Sequence, residues 1–358
     1  MTVRNFDRAV MANEEHLALL RQGVGTWNHW RKNHAEVSPN LIQADLEQAQ
    51  LREITLEQAE LREVTLTAAD ICMANLRGAD LQNANLKEAL LYTADLSGAN
   101  LRSSNLVGAD LREATLIEAD LSYALLHSAT LSMANLRGTK LREANLGKAN
   151  LSHTTLSYAD LCMANLKGAD LSRADLREAH LYTADLRQAV LYMANLSQAD
   201  LREATLTQAN LREADLREAN LSRAILCIAN LIGATLFKAN LVQANLSMAN
   251  LCLANLSHAN LTRSILMGAN LIGANLYQAA IADAVLIEAD LREATLSHAD
   301  LHCANLRRAN LSRANLSQAN LAGADLRHAD LKQANLWQAN LEGACLSGAI
   351  MPDGSMRP

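Results

Sequence analysis

Ala164-Asn165-Leu166-Lys167-Gly168-Ala169-Asp170-Leu171 holds the unit from which most of this chain is built, Ala-Asn/Asp-Leu-x-x. From Leu41 to Met351 a large aliphatic residue returns at every fifth position: 63 positions, of which 60 are Leu and the others Ile71, Ile281 and Met351. Ala stands two places earlier in 56 of the 63 units, and the residue between them is Asn in 26, Asp in 16 and Thr in 8. The exceptions at the Ala slot are Pro39, Ile54, Val64, Ser104, Thr139, Thr154 and Ser264. Self-similarity at a fixed period decides the architecture before any local propensity does.

A period of five suits neither regular structure. Successive leucines would step roughly 140° around an α-helix and form no stripe. On a flat strand an odd repeat sends every second Leu to the opposite face. Both readings fail. The pattern does work if Ala and Leu point inward from a short extended piece, Asn/Asp points outward, and the two x residues turn the chain. That is an all-β solenoid with one side per pentad, in which leucines such as Leu81, Leu166 and Leu251 form the core column.

Runs such as Ala79-Asp80-Leu81, Ala164-Asn165-Leu166 and Ala329-Asp330-Leu331 resemble the pentapeptide-repeat proteins, over about 311 of the 358 residues. The resemblance implies a right-handed quadrilateral β-helix with four pentads per coil, hence about 16 coils. At the usual separation of paired strands, such a stack would be on the order of 75 Å long. A solenoid grows in one dimension, each coil touching only its neighbours, so one rod accommodates the whole length. Hydrophobic residues make up 50% of the chain and aromatics only 3%, as a narrow Leu/Ala interior requires.

Residues 1–37 read differently, with the repeats over 38–352 and a short tail over 353–358. Met1 to Ala12 has no apolar run behind Arg4 and Arg8, so no secretory leader is expected, and no stretch has the apolar length of a membrane span. A cytoplasmic location and no membrane association follow as expectations. Asn13 is a good N-cap, with Glu14 and Glu15 in the first turn. Leu17, Leu20, Val24, Trp27 and Trp30 fall at helical spacing, which predicts one α-helical cap over about 14–33, with Gly23 and Gly25 working against it. An uncapped solenoid end exposes an unpaired strand edge and invites end-to-end or side-to-side self-association, so the helix is expected to plug the first coil, with Trp27 and Trp30 as its anchors. The phrase from His16 to Gly23, with Trp27-Asn28-His29-Trp30-Arg31, resembles the leader preceding the repeats in many bacterial, particularly cyanobacterial, members. At the other end, Pro352-Asp353-Gly354 signals a turn, and Trp337, the only Trp in the repeats, is expected to be a near-terminal cover or contact, the cover favoured. A longer echo recurs at 90 residues: Leu-Arg-Glu-Ala-Thr begins at 111, 201 and 291, and Tyr92-Thr93-Ala94-Asp95 returns as Tyr182-Thr183-Ala184-Asp185. It reads as block duplication.

The surface carries the function. Net charge is −6, and Arg-Glu pairs such as Arg112-Glu113, Arg202-Glu203 and Arg292-Glu293 read as solvated corners. Direct nucleic-acid binding needs a basic stripe, and none is present. Relatives that block DNA gyrase are thought to imitate duplex DNA with a strongly acidic rod, often with Phe in the core and a C-terminal dimerising helix. This chain has a Leu core, mild acidity and a short tail, so the DNA-mimicking regulator of gyrase/topoisomerase is the alternative reading. The leading one is a non-enzymatic interaction scaffold. Ile225, Ile265 and Val285 are apolar at the outward slot, and the corners nearby hold Cys227, Ile228, Met248, Met267 and Ile287. The next face at the same height adds Ile232, Cys252, Leu253 and Ile272. A contiguous apolar band of this kind marks a docking site for a protein partner.

Catalytic signals are weak. The six cysteines show no CxxC spacing, which speaks against a zinc cluster or a disulfide framework. His298, Asp300, His302 and Cys303 cluster at one corner as a weak metal candidate, on a convex surface where convergence on one ion is hard. No cofactor is implied, and a surface without a cleft gives little means of excluding water from a reaction.

Overall fold

The computed structural model describes residues 11–358, which fall into two compact units divided between Asn150 and Leu151. The statement about a secretory leader over Met1 to Ala12 lies almost wholly outside the described residues. In both units, residues twenty apart pair as parallel β-bridges: Asn40↔Glu60 through Thr130↔Asn150 in the first, Thr155↔Asp175 through Asp330↔Ile350 in the second. A register of twenty is four pentads per coil, so each coil has four sides.

Hydrogen bonding explains the composition of the pentad. In the coil around Leu251, Leu251 N–H donates to Asn270 O and Leu253 N–H to Ile272 O, while Asn250 N–H donates back to Ala229 O. Ala254 N–H closes the corner turn on Leu251 O. Four of the five amides are thereby satisfied within the ladder and the turn. The fifth, that of the residue after Leu, has only the outward side chain to use, and Cys252 N–H donates to Asn250 Oδ1 at 3.2 Å. The same bond recurs at Arg77–Asn75, Ser172–Asp170 and Arg217–Asp215. Asn and Asp dominate this slot because they reach the local amide that the solenoid leaves open. The second corner residue has positive φ throughout, for example Gln243 at 59° and Leu253 at 58°.

Leu81, Leu166 and Leu251 are fully buried, as are their neighbours along the column. Ile54 and Val64 are buried too, where they replace Ala in the early coils. Polar exceptions at the Ala slot bond locally: Ser104, Thr154 and Ser264 donate to the carbonyls of Leu101, Leu151 and Leu261, each at 2.6 Å, and Thr139 donates to Leu116 O at 2.8 Å.

The N-terminal segment is two helices rather than the single one expected over 14–33: α1, Glu14–Arg21, and α2, Val24–Asn33. The break is Gly23, whose φ of 104° no helix admits. Asn13 caps α1 as its sequence predicts, its Oδ1 accepting from Glu15 and His16 N–H. Together the helices supply, on the sides of Asn40 and Thr55, hydrogen bonds that a preceding coil would make. Trp27, fully buried, donates Nε1–H to Thr55 O at 2.8 Å, and Asn28 Oδ1 accepts Thr55 N–H at 2.9 Å. Asn40 O accepts Asn13 N–H, and Asn40 N–H donates to His16 Nδ1. Arg31, buried beneath the cap, donates to the carbonyls of His34, Val37 and Glu57, and burial pushes its guanidinium pKa down. Trp30 is only half-buried, tilted against Trp27 and stacked on His34.

At the C-terminal end of the second unit, Leu336, Leu341 and Leu346 are half-buried. Trp337 does not cover them: its side chain is 59% exposed at a corner, a position that points away from the column by the register itself. The predicted turn at Pro352-Asp353-Gly354 does form, and the tail folds back so that Met356 pairs antiparallel with Ile350.

Candidate interaction surface

The apolar band lies wholly within the second unit. Ile225, Asn245, Ile265 and Val285 stack in one column at the outward slot, each bridged to the next. Ile225 and Ile265 are exposed and Val285 half-buried. An aliphatic side chain has no oxygen for the following amide, so at Cys227, Met267 and Ile287 the bond made elsewhere by Asn or Asp is forgone. The corner beside this column carries Ile228, 56% exposed, and Met248, 63% exposed, with Met267 also exposed and Cys227 and Ile287 half-buried. The following corner holds Leu253, 67% exposed, above half-buried Ile232, Cys252 and Ile272. The structure therefore brings together the residues singled out from the sequence, on two corners and the faces between and beside them. Leu90 and Leu125, in the first unit, are exposed at the same slot.

One element of this surface was missed. On the third corner Phe237, His258, Tyr277 and His298 form an edge-to-face ladder, with centroid separations of 5.4, 5.6 and 5.5 Å. Its signal is an alternation of steps of 21 and 19 residues, invisible until the coil length is fixed at twenty. It also decides the metal candidate. His298 is turned toward Tyr277, while His302 Nδ1 lies 3.0 Å from Asp300 Oδ1, which in addition accepts Asn320 Nδ2–H. The structure does not bring His298, Asp300, His302 and Cys303 together as one ligand set, and among the described residues no three His, Cys, Asp or Glu side chains do so. The cysteines are unbridged, and burial pushes the Cys72 thiol pKa up.

Elsewhere the surface is locally neutralised. At the corners read as solvated Arg-Glu pairs, Arg112, Arg202 and Arg292 reach back two residues and clasp Asp110, Asp200 and Asp290 at 2.6, 2.7 and 2.7 Å. Arg177, Arg187, Arg217 and Arg327 do the same with Asp175, Asp185, Asp215 and Asp325. The arginine hydrogen bond holds the carboxyls of Asp110, Asp175, Asp185, Asp200 and Asp325 below their ordinary range. The 90-residue echo also has a structural counterpart: Arg112 lies over Tyr92 and Arg202 over Tyr182, with each tyrosine hydroxyl donating to the adjoining Glu113 or Glu203. The grooves beside these pairs are open and lined by polar and apolar groups alike.

The family profile described as "Pentapeptide repeats (8 copies)" matches in overlapping segments from residue 40 to residue 348. Among solved structures, HetL, a pentapeptide repeat protein involved in heterocyst differentiation regulation in the cyanobacterium Nostoc, is 39% identical, over 62% of this chain and 91% of its own, with a TM-score of 0.30. Rfr23, a pentapeptide repeat protein from the cyanobacterium Cyanothece, is 43% identical over 24% of this chain and 58% of its own, with a TM-score of 0.24. QnrB1, a plasmid-mediated fluoroquinolone resistance protein, is 18% identical over 59% of this chain and 88% of its own, with a TM-score of 0.28. No curated protein matches the chain. No helix among the described residues is long and apolar enough to cross a membrane.

Proposed function

The chain belongs to the pentapeptide-repeat family, and from that premise we propose that it is a non-enzymatic interaction scaffold, a right-handed solenoid that docks a protein partner through the apolar band between residues 225 and 287. The observation that carries this reading is the cluster of exposed Ile228, Met248, Leu253 and Met267 on neighbouring corners. A contiguous apolar patch on a soluble surface is costly to keep unless something covers it. Rigid stacked coils hold these side chains in a fixed array, so docking requires little ordering of the scaffold.

The gyrase-directed DNA mimic has less support. Imitating a duplex needs rows of uncompensated negative charge, whereas seven outward aspartates are each clasped by an arginine two residues on. The two readings respond differently to salt: a charge mimic weakens as ionic strength rises and an apolar dock persists. Capture from native cell extract by wild type and by Ile228→Glu/Met267→Glu, at low and high salt, separates them. A partner retained by wild type at high salt and lost by the variant fits the proposal. A partner held equally by both, or released by salt, contradicts it.

A further inference from the structure

Within the band, the face between the first two corners has a property that neither corner has alone. Across three coils, residues 227–233, 247–253 and 267–273 contain no charged side chain. Asn230, Asn250 and Asn270 form its floor, each with Oδ1 turned back to a corner amide, so amide nitrogens are the outward polar groups. The panel is bordered on one side by the Arg212–Glu213 pair and on the other by Glu288, Asp290, Arg292 and Glu293. Met248 and Leu253 lie along their corners over Gly268 and Gly273: a Cβ at those glycines would sit 2.5 Å from Met248 Sδ and 2.9 Å from Leu253 Cδ2. The panel is thereby kept low. The corner imposes a positive φ in every coil, and Ile228, at 60°, is a β-branched residue in a slot that glycine or an unbranched residue fills with less strain.

We propose that this panel is an isologous interface with a second copy of the chain, the two solenoids lying side by side and antiparallel. This rests on reading the band as a docking surface and names its occupant. In a twofold interface the same patch meets itself, and a charge-free patch does so without opposing like charges. The floor repeats with the spacing of stacked strands, about 4.8 Å. A second solenoid has that repeat and matches it in every coil, whereas a helix, with a pitch near 5.4 Å, is offset by about 1.2 Å across the three coils. Direction follows from the borders. Parallel copies would set the border of Glu288, Asp290, Arg292 and Glu293, net charge −2, against itself; antiparallel copies set it against the Arg212–Glu213 pair, net charge zero. The dyad then crosses the middle coil and brings Cys252 opposite Cys252 of the second copy. In the parallel arrangement Cys252 would meet the Met248 corner instead. Three coils make a small contact, so the association is weak and reversible.

Sedimentation equilibrium on the full chain tests the proposal, with a short bismaleimide as the probe of direction. Wild type is expected to rise from the mass of one chain toward two across the micromolar range, and to give a cross-linked dimer that Cys252→Ser abolishes. Met248→Glu/Leu253→Glu should hold the mass of one chain at every concentration with unchanged thermal unfolding. Ile228→Gly should weaken association while leaving unfolding unchanged or raising its midpoint. Wild type fixed at one chain throughout, or a mass rise that the double variant leaves intact, overturns the interface, and a cross-link that survives Cys252→Ser overturns the antiparallel arrangement. Wild type monomeric while a different protein binds it and is lost by the double variant would overturn this inference and leave the docking reading standing.

Discussion

Leu251→Ala puts the core to its sharpest test. Leu251 is fully buried between Leu231 and Leu271 in one column. Removing three carbons from that environment forfeits about 2.4 kcal/mol, at about 0.8 kcal/mol per buried carbon. The hole cannot close, because the coils on either side are held apart by ladder bonds such as Leu251 N–H to Asn270 O and Asn250 N–H to Ala229 O. An unfilled cavity of that size adds up to about 2 kcal/mol, for a total near 4. The matched substitution Leu341→Ala, at a half-buried position of the same kind, should cost no more than about 1–2 kcal/mol, since part of that side chain already meets solvent. In a solenoid the damage is local, so native-state hydrogen exchange is the fitting assay. Amides in the coils around 251 should lose protection by the larger amount, those several coils away by little. Equal costs at 251 and 341, or a small effect at 251, would refute the claim that every fifth leucine fills a rigid dry column.

Ile265→Asn restores an acceptor for the Met267 amide and continues a column with Asn245, so chemical denaturation should show it more stable by about 0.5–1.5 kcal/mol even though it lowers side-chain hydrophobicity. Trp27→Phe deletes the bond to Thr55 O together with the pyrrole part of a fully buried indole; the unpaired carbonyl alone should cost about 1–3 kcal/mol, read as lost exchange protection in the first coil. The clasped aspartates predict an acid limb. Their folded pKa values are depressed, so their contribution is full above the ordinary carboxylate range, near pH 4, and is lost as pH falls from there through the lowered folded values. Asp→Asn at 110, 175, 185, 200 and 325 together should flatten the fall of the melting temperature over that window, and a limb left unchanged would count against the clasps.

Much of this was legible because the repeat is its own alignment. The inward Ala and Leu, the corner pair and the outward polar slot all follow from a period of five that no helix or flat sheet can satisfy. The reason for Asn and Asp did not follow: it depends on which amide the ladder leaves open, and that becomes visible only when Cys252 N–H is found on Asn250 Oδ1. Apolar intrusions such as Ile225 and Ile265 stood out against the repeat and do lie on the surface. The ladder from Phe237 to His298 did not stand out, since steps of 21 and 19 residues have meaning only after the coil length is known. The cap is read from its spacing as one helix over 14–33, where the structure has two over the same span. Its apolar spacing runs through Gly23, and only the φ of 104° there separates α1 from α2. Of the two roles the sequence offers Trp337, the cover fails because its corner slot faces solvent.

The register of twenty is the claim from which the faces, the corners and the panel are all laid out. Spin labels placed on a cysteine-free background measure it directly, as the pairs 250/270 and 250/265. Asn250 and Asn270 are bridged neighbours on one face, so their spectrum should be strongly broadened by dipolar coupling at roughly the 5 Å spacing of adjacent strands. Residues 250 and 265, nearer in sequence, belong to different faces and should show far less. Broadening in 250/265 with none in 250/270 would contradict a coil of four pentads and everything built on it.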